Sequence, residues 1–162
     1  EQTIVLTATD GFAMAGGKTM PLPAAALDRR RKDLNRDLRF LVRYAADPGL
    51  EAVAAGDEDV DGTKCQVVAV TFKGVESRLF VAPDGKVLKQ TFAGDNPMTR
   101  APAQMEILFS DYKEVNGRLV PHKEVVKADG QEVTTLTLES FKVDPPIDEK
   151  LFEKPAAERP PA

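Results

Sequence analysis

The sequence predicts an α+β protein, a curved antiparallel sheet or incomplete β-barrel of meander connectivity covered by one long helical segment. Three observations carry this. First, the last third of the chain is three strand-like runs of about ten residues, divided by Asn116-Gly117 and Asp129-Gly130 and stopped by Pro145-Pro146. Both dipeptides supply two successive residues that tolerate positive φ, which the type I′ turn between right-twisted antiparallel strands requires. Second, from Ala24 to Ala46 there is neither Gly nor Pro but many helix formers. Third, the strands are apolar on both faces. In the last run Leu136 and Leu138 point one way and Val133, Phe141 and Val143 the other, unless a bulge switches the phase. A curved sheet, or one covered on both faces along part of its length, produces that mixture.

Taken in order, Thr3 to Thr9 (TIVLTAT) alternates and is β-branched, a strand entering the Asp10-Gly11 turn. A second short strand follows around Phe12 to Ala15. Pro21 and Pro23 break the pattern ahead of the helix. Its apolar positions Leu27, Leu34, Leu38, Leu41, Val42 and Ala45 fall at spacings of three, four and seven, forming one stripe that must lie on something apolar. Asp47-Pro48-Gly49 ends the helix, since the residue before proline avoids the α region. The remainder reads as β: a short edge at Glu51 to Ala55, then Thr63 to Phe72, Ser77 to Val81 and Lys86 to Phe92, with turns at Asp61-Gly62, Lys73-Gly74 and Pro83-Asp84-Gly85. Ala93 to Pro102 is the longest loop. After the meander, Asp148 to Phe152 reads as one helical turn whose acidic start suits the helix dipole. A single domain over 1–154 and a frayed tail over 155–162 are expected.

At 162 residues the chain can bury roughly 70% of its unfolded surface, enough for a core without staples. A net charge of -4 argues against general nucleic-acid affinity. No apolar run approaches the roughly 20 residues of a spanning helix, so no transmembrane segment is expected. Cys65 is the only cysteine, which excludes an internal disulfide and any multi-cysteine metal site. The chain begins at Glu1 rather than Met, so a signal peptide or an upstream region is expected to precede it.

Four groups of residues could carry chemistry, and each has a plainer reading. Gly16-Gly17-Lys18-Thr19 matches the end of a phosphate-binding loop, but the first glycine is out of register and Met-Pro-Leu-Pro cannot open the helix that motif needs. A hairpin turn is the better reading. Asp57, Asp59, Asp61 and Gly62 match the opening of a calcium loop, but its twelfth position is Val68 where a bidentate Glu is needed, so a solvated acidic turn is expected. His122 lies in a strand with no assignable nucleophile and reads as a histidine bonded to a neighbour or to water. Cys65 reads as a small buried hydrophobe. Asp28 to Arg43 carries seven basic and three acidic residues, leaving -8 on the rest of the chain. Arg29, Arg30, Arg31, Arg36, Arg39 and Arg43 could steer an acidic protein or anionic headgroups, against the plainer reading of a solvated helix face.

The segments DGFAMAGGKTMPLP, ADPGL after the helix, GDEDVDGTKCQVV, RLFVAPDGKVLKQ, SDYKEVNGRLVPHKEVV and PPIDEKLF together resemble the LolA/LolB-like superfamily of bacterial periplasmic carriers. They are more similar still to the outer-membrane lipoprotein-sorting type domains, some of which are appended to insulinase-type zinc proteases. The likeness covers about residues 2–154, and DYKEVNGRLVP at 111–121 is its most specific part. It implies an incomplete barrel whose apolar inner face is covered by helix. Leu34, Leu38, Leu41 and Val42 would then face Phe80, Phe92, Phe109, Leu136 and Leu138 across a groove for a lipid or acylated protein. Each buried methylene there would contribute about 0.8 kcal/mol, so no catalytic residue, metal or cofactor is needed. Three departures accompany the likeness. The family's N-terminal helix and first strands have no counterpart before Thr3, its lid-closing arginine is not identifiable among the basic residues of the helix, and the zinc-protease motif does not occur. The resemblance therefore implies a non-enzymatic periplasmic binding module that is either the later part of a longer domain or a smaller half-barrel whose exposed edge must be paired with something. The second reading is an interaction domain of a zinc protease or envelope complex without a lipid ligand, and the third an enzyme using the same cavity.

Overall fold

The computed structural model describes residues 2–7, 9–16 and 18–154, and packing divides the chain into two compact units. The first comprises residues 1–34 and 144–162. Strands β1 (Gln2–Leu6), β2 (Gly11–Ala15) and β3 (Lys18–Pro21) form an antiparallel sheet in that order, followed by helix α1 (Ala24–Arg36). Among its described residues Val5, Gly11, Phe12 and Ala13 are buried. Gly11 is required there: a Cβ would lie 2.5 Å from Leu27 Cδ2 and 3.0 Å from the Val5 carbonyl oxygen. A 3-10 turn (Glu149–Phe152) lies beside β1, its start capped by Asp148 Oδ1 accepting from Lys150 N at 3.0 Å.

The second unit, residues 35–143, holds helix α2 (Leu38–Arg43) and seven strands. These are β4 (Leu50–Val60), β5 (Thr63–Phe72), β6 (Val75–Val81), β7 (Val87–Asp95), β8 (Pro102–Val115), β9 (Arg118–Ala128) and β10 (Gln131–Thr137). Each pairs antiparallel with its sequence neighbour, so the sheet is a curved, unclosed meander with β4 and β10 at its edges. Asn116-Gly117 and Asp129-Gly130 turn the last two hairpins with φ of 50°/75° and 50°/80°, the pair of left-handed residues a type I′ turn demands. Asp61-Gly62 and Lys73-Gly74 repeat that geometry.

The sheet buries residues on both faces. On the helix side Leu41 packs on Val70 and Phe72, flanked by Phe40, Tyr44, Leu50, Val68 and Leu79. Tyr44 stacks on Phe72 with ring centroids 5.9 Å apart. On the opposite face Val60, Cys65, Val67, Phe80 and Ala82 form a second cluster with Leu88 against it. Cys65 is fully buried there, and burial pushes its thiol up, as suits a small core hydrophobe. Tyr112 ties β8 to the start of β7 through its hydroxyl, which donates to the Val87 carbonyl at 2.6 Å.

Several expectations need correction. The long helix over Ala24 to Ala46 is two helices. Asp37 adopts φ -58° and ψ 128°, and its Oδ1 accepts from Arg39 N at 2.9 Å and Phe40 N at 3.2 Å. An aspartate that caps a new helix in this way ends the old one. The strand expected over Thr3 to Thr9 ends at Leu6, while Lys18–Pro21 forms a strand despite its proline, which pairs with Phe12 at the sheet margin. The edge expected at Glu51 to Ala55 continues to Val60 past a bulge, where Gly56 takes φ 96°. The long loop narrows to Asn96–Ala101, closed by Asn96 N donating to the Ala101 carbonyl. The last strand does switch phase at a bulge between Glu132 and Thr134, but it ends at Thr137 rather than at Val143. Beyond it Leu138 N still reaches the His122 carbonyl, and His122 Nδ1 bonds the Val120 carbonyl at 3.0 Å. Gly17 of the glycine-lysine turn and the tail 155–162 lie outside the described residues.

Replacing Asp37 with alanine is expected to destabilise the protein by about 1 kcal/mol in denaturant unfolding, with Asp37→Asn recovering most of the loss. Burial pushes the Tyr112 phenol from its ordinary 10.0 up to about 12. The folded state holds that proton longer, so the contribution is complete below pH 10.0 and is lost as pH rises through 12. Tyr112→Phe should abolish this alkaline slope in thermal unfolding, and tyrosinate absorbance should show one late-titrating phenol in the parent protein.

Candidate functional site

Strand register decides which side chains share the helix-side face, because paired residues point the same way and neighbours alternate. Phe92, Met105 and Ala128 are one row across β7, β8 and β9. Gln90, Ile107, Val126 and Thr134 form the next, joined at one end by Leu79 and Val68. Phe109, Glu124 and Leu136 are the third. Met105 and Phe109 are buried, Ile107 and Val126 are half-buried, and Leu136 is 52% exposed. The face therefore grades from covered under α2 to open towards β10.

The residues expected to line a groove are distributed unequally over this frame. Phe92, Phe109 and Leu136 share the helix-side face, and Leu41 packs on its β5 end. Leu38 is buried on α2, while Val42 on the same helix is 56% exposed. Phe80 is not brought to them. It pairs with Lys89, which pairs with Leu108, so it belongs to the opposite face and its cluster. The one-residue alternation of a strand, invisible without the register, separates it from Phe109. Leu138 lies beyond the end of β10 and is half-buried. Leu34, 43% exposed, lies on α1 in the other unit.

Polar residues at the centre of this face were not anticipated as a group. Arg39 Nη1 reaches Glu124 Oε1 at 2.9 Å and Arg39 Nη2 reaches Asp37 Oδ2 at 2.7 Å, so one guanidinium joins the cap of α2 to strand β9. Burial opposes the charge of Arg39, but the two carboxylates outweigh it and hold its pKa above the ordinary value. Burial pushes the Glu124 carboxyl up. Arg39 draws it back only in part, and Asp37 adds to the rise. Gln90, 1% exposed, donates Nε2 to the Arg36 carbonyl at 2.8 Å, satisfying the end of α1. The Arg36 guanidinium lies 4.2 Å from the Phe92 ring centroid. Arg36, Arg39 and Arg43 had been grouped only as part of a basic helix. The break at Asp37 gives Arg39 a separate task, and the Asp at a capping position was the available signal.

The remaining candidates have structural occupations. Asp57 pairs with Lys64 at 3.0 Å, and Asp59 Oδ1 caps the following turn by accepting from Gly62 N at 2.7 Å. His122 is buried and donates from Nδ1 to the Val120 carbonyl, which can only accept. Among the described residues no helix is long and apolar enough to cross a membrane.

No protein family and no curated protein matches the sequence. Solved structures share its fold. A LolA superfamily protein from Nitrosomonas europaea superposes with a TM-score of 0.60 at 15% identity, over 94% of this chain and 70% of its own. A DUF1329 family protein from Desulfovibrio piger gives 0.59 at 14%, over 89% of this chain and 62% of its own. A domain described as an outer membrane lipoprotein-sorting protein, from Vibrio parahaemolyticus, gives 0.54 at 12%, over 88% and 63% respectively. The fold is LolA-like, and the chain spans less than two thirds of the length of the last two structures.

The raised Glu124 pKa has a defined sign. A carboxyl harder to ionise when folded keeps its proton to higher pH, so its contribution is complete below its ordinary 4.5 and is lost as pH rises through the folded value. The stability difference between the parent protein and Glu124→Gln should therefore fall as pH rises from 4.5 and then level off, in thermal unfolding followed against pH. A slope of opposite sign would mean that attraction to Arg39 outweighs burial.

Proposed function

We propose that this protein is a non-enzymatic binding module of the bacterial periplasm, holding a lipid or an acylated, lipoprotein-type ligand between α2 and the helix-side face of the seven-stranded sheet. The observation that carries the reading is the gradient of cover on that face. Ile107 and Val126 are half-buried and Leu136 is exposed, beside the Phe109 and Met105 that are fully covered. An acyl chain laid along this strip would complete the burial, at about 0.8 kcal/mol per methylene. Arg39 and Arg36 lie at its polar side, where an ester or headgroup would find donors already oriented by Asp37, Glu124 and Phe92. The LolA-like fold supports the reading, since a solved structure of that fold carries a lipoprotein-sorting description. The same likeness supports a periplasmic setting.

A second reading is supported by the burial of Leu38, Leu41, Met105 and Phe109 by the protein's own side chains. An inner face filled in this way suits an accessory or interaction domain with no lipid. Native mass spectrometry of the gently purified protein separates the two. The carrier reading expects a bound lipid and micromolar uptake of a fluorescent fatty acid. Val126→Glu and Leu136→Glu should each weaken that uptake by about tenfold, because a charge facing an acyl chain must be desolvated. Leu136 is open enough for thermal stability to stay near that of the parent, while the half-buried Val126 should lose some stability, so uptake is compared well below the unfolding temperature of both variants. A protein free of lipid, or uptake indifferent to both substitutions, favours the accessory domain.

A further inference from the structure

The strand at the sheet's other margin, β4, is exposed at every residue from Glu51 to Asp59. Its inner edge is paired with β5 on both sides of a bulge, and among the described residues no backbone hydrogen bond reaches its outer edge between Glu51 and Val60. An unpaired edge of this length is a template for strand addition unless charges, prolines or bulges block it. Here the blocking devices are confined to one half. The bulge at Ala55 and Gly56 and the carboxylates Asp57, Glu58 and Asp59 occupy the C-terminal half. The N-terminal half, Leu50 to Ala54, is regular in register, and its side chains are apolar apart from Glu51. Val53 is 65% exposed.

We propose that the outer edge of β4 accepts an extended basic segment of a partner protein as an eighth strand. Charge selects the occupant. The strand carries four carboxylates and no basic residue, with Asp61 in the turn beyond it, and Lys64 and Arg78 reach across from β5 and β6 to Asp57 and Glu58. A second copy added antiparallel would set Glu51 against the acidic run 57–59 and Leu50 to Ala54 against the rest of it, so no cation answers the carboxylates of either strand, which opposes self-pairing. A segment with lysine or arginine opposite residues 57–59 is attracted instead. Direction follows as well. The sheet is antiparallel throughout, and an antiparallel addition to a strand that reads apolar and then acidic requires a segment that reads basic and then apolar. The main-chain ladder supplies affinity, and the order of side chains supplies specificity.

Four synthetic decapeptides test this: alternating Lys-Thr followed by alternating Val-Thr, the reversed sequence, a version with Glu for Lys, and an all-Thr control. Binding is followed by amide exchange and chemical shifts of β4 in the full chain. The first peptide should slow exchange at residues 51–59 and bind at least about tenfold tighter than the reversed and Glu versions, with an affinity that falls as salt rises. Val53→Lys and Glu51→Lys lie on exposed positions that leave the fold intact, and each should weaken the first peptide severalfold. Equal binding of the reversed peptide, or no protection of β4 by any peptide, overturns the proposal. So does protection of β4 that rises with protein concentration in the absence of peptide, since that outcome assigns the edge to a second copy.

Discussion

Asp37 is the residue on which the inner face of the sheet depends. By leaving the helical region and capping Arg39 and Phe40, it converts one helix into two and lets six residues lie on the sheet as a separate element. Its second oxygen then holds the Arg39 side chain in the orientation that meets Glu124. A carboxylate on the covered face of a sheet is costly unless it is paired. The cap and the ion pair are therefore one device: the same aspartate starts the helix and positions the cation that makes Glu124 tolerable.

The consequences spread along the face. With α2 in place, Leu41 covers Val70 and Phe72, and the Phe40, Tyr44 and Phe72 rings close that end. Gln90 takes up the last carbonyl of α1, so the interruption leaves no orphaned acceptor at Arg36. What six residues cannot do is cover seven strands. In the rows that hold the buried Gln90 and Phe109, Ile107 and Val126 are half-buried and Leu136 on β10 is open. The two margins of the sheet are likewise unequal, with β10 ending at Thr137 and β4 left long and unpaired at its outer edge.

Much of this was legible in the residues. Asn116-Gly117 and Asp129-Gly130 announced their turns because few other pairs adopt two left-handed conformations in succession. Asp148 announced the terminal turn in the same local way. The grouping of Phe80 with Phe109 and Phe92 failed for a different reason: hydrophobicity does not reveal a strand residue's face until its cross-strand partners are known, and Phe80 pairs with Lys89, itself paired with Leu108, one residue short of Phe109. The bulge between Phe80 and Val81 and the one at Ala55 and Gly56 each reset the alternation locally.

The sequence by itself determined the fold class, the meander, the turns and the absence of a disulfide, since each rests on the conformational preference of one or two residues or on a simple count. Only the tertiary structure decided which apolar residues share a face, that Arg39 rather than its basic neighbours joins helix to sheet, and which margins stay open. Those depend on register and on partners distant in sequence, where a shift of one residue exchanges inside for outside.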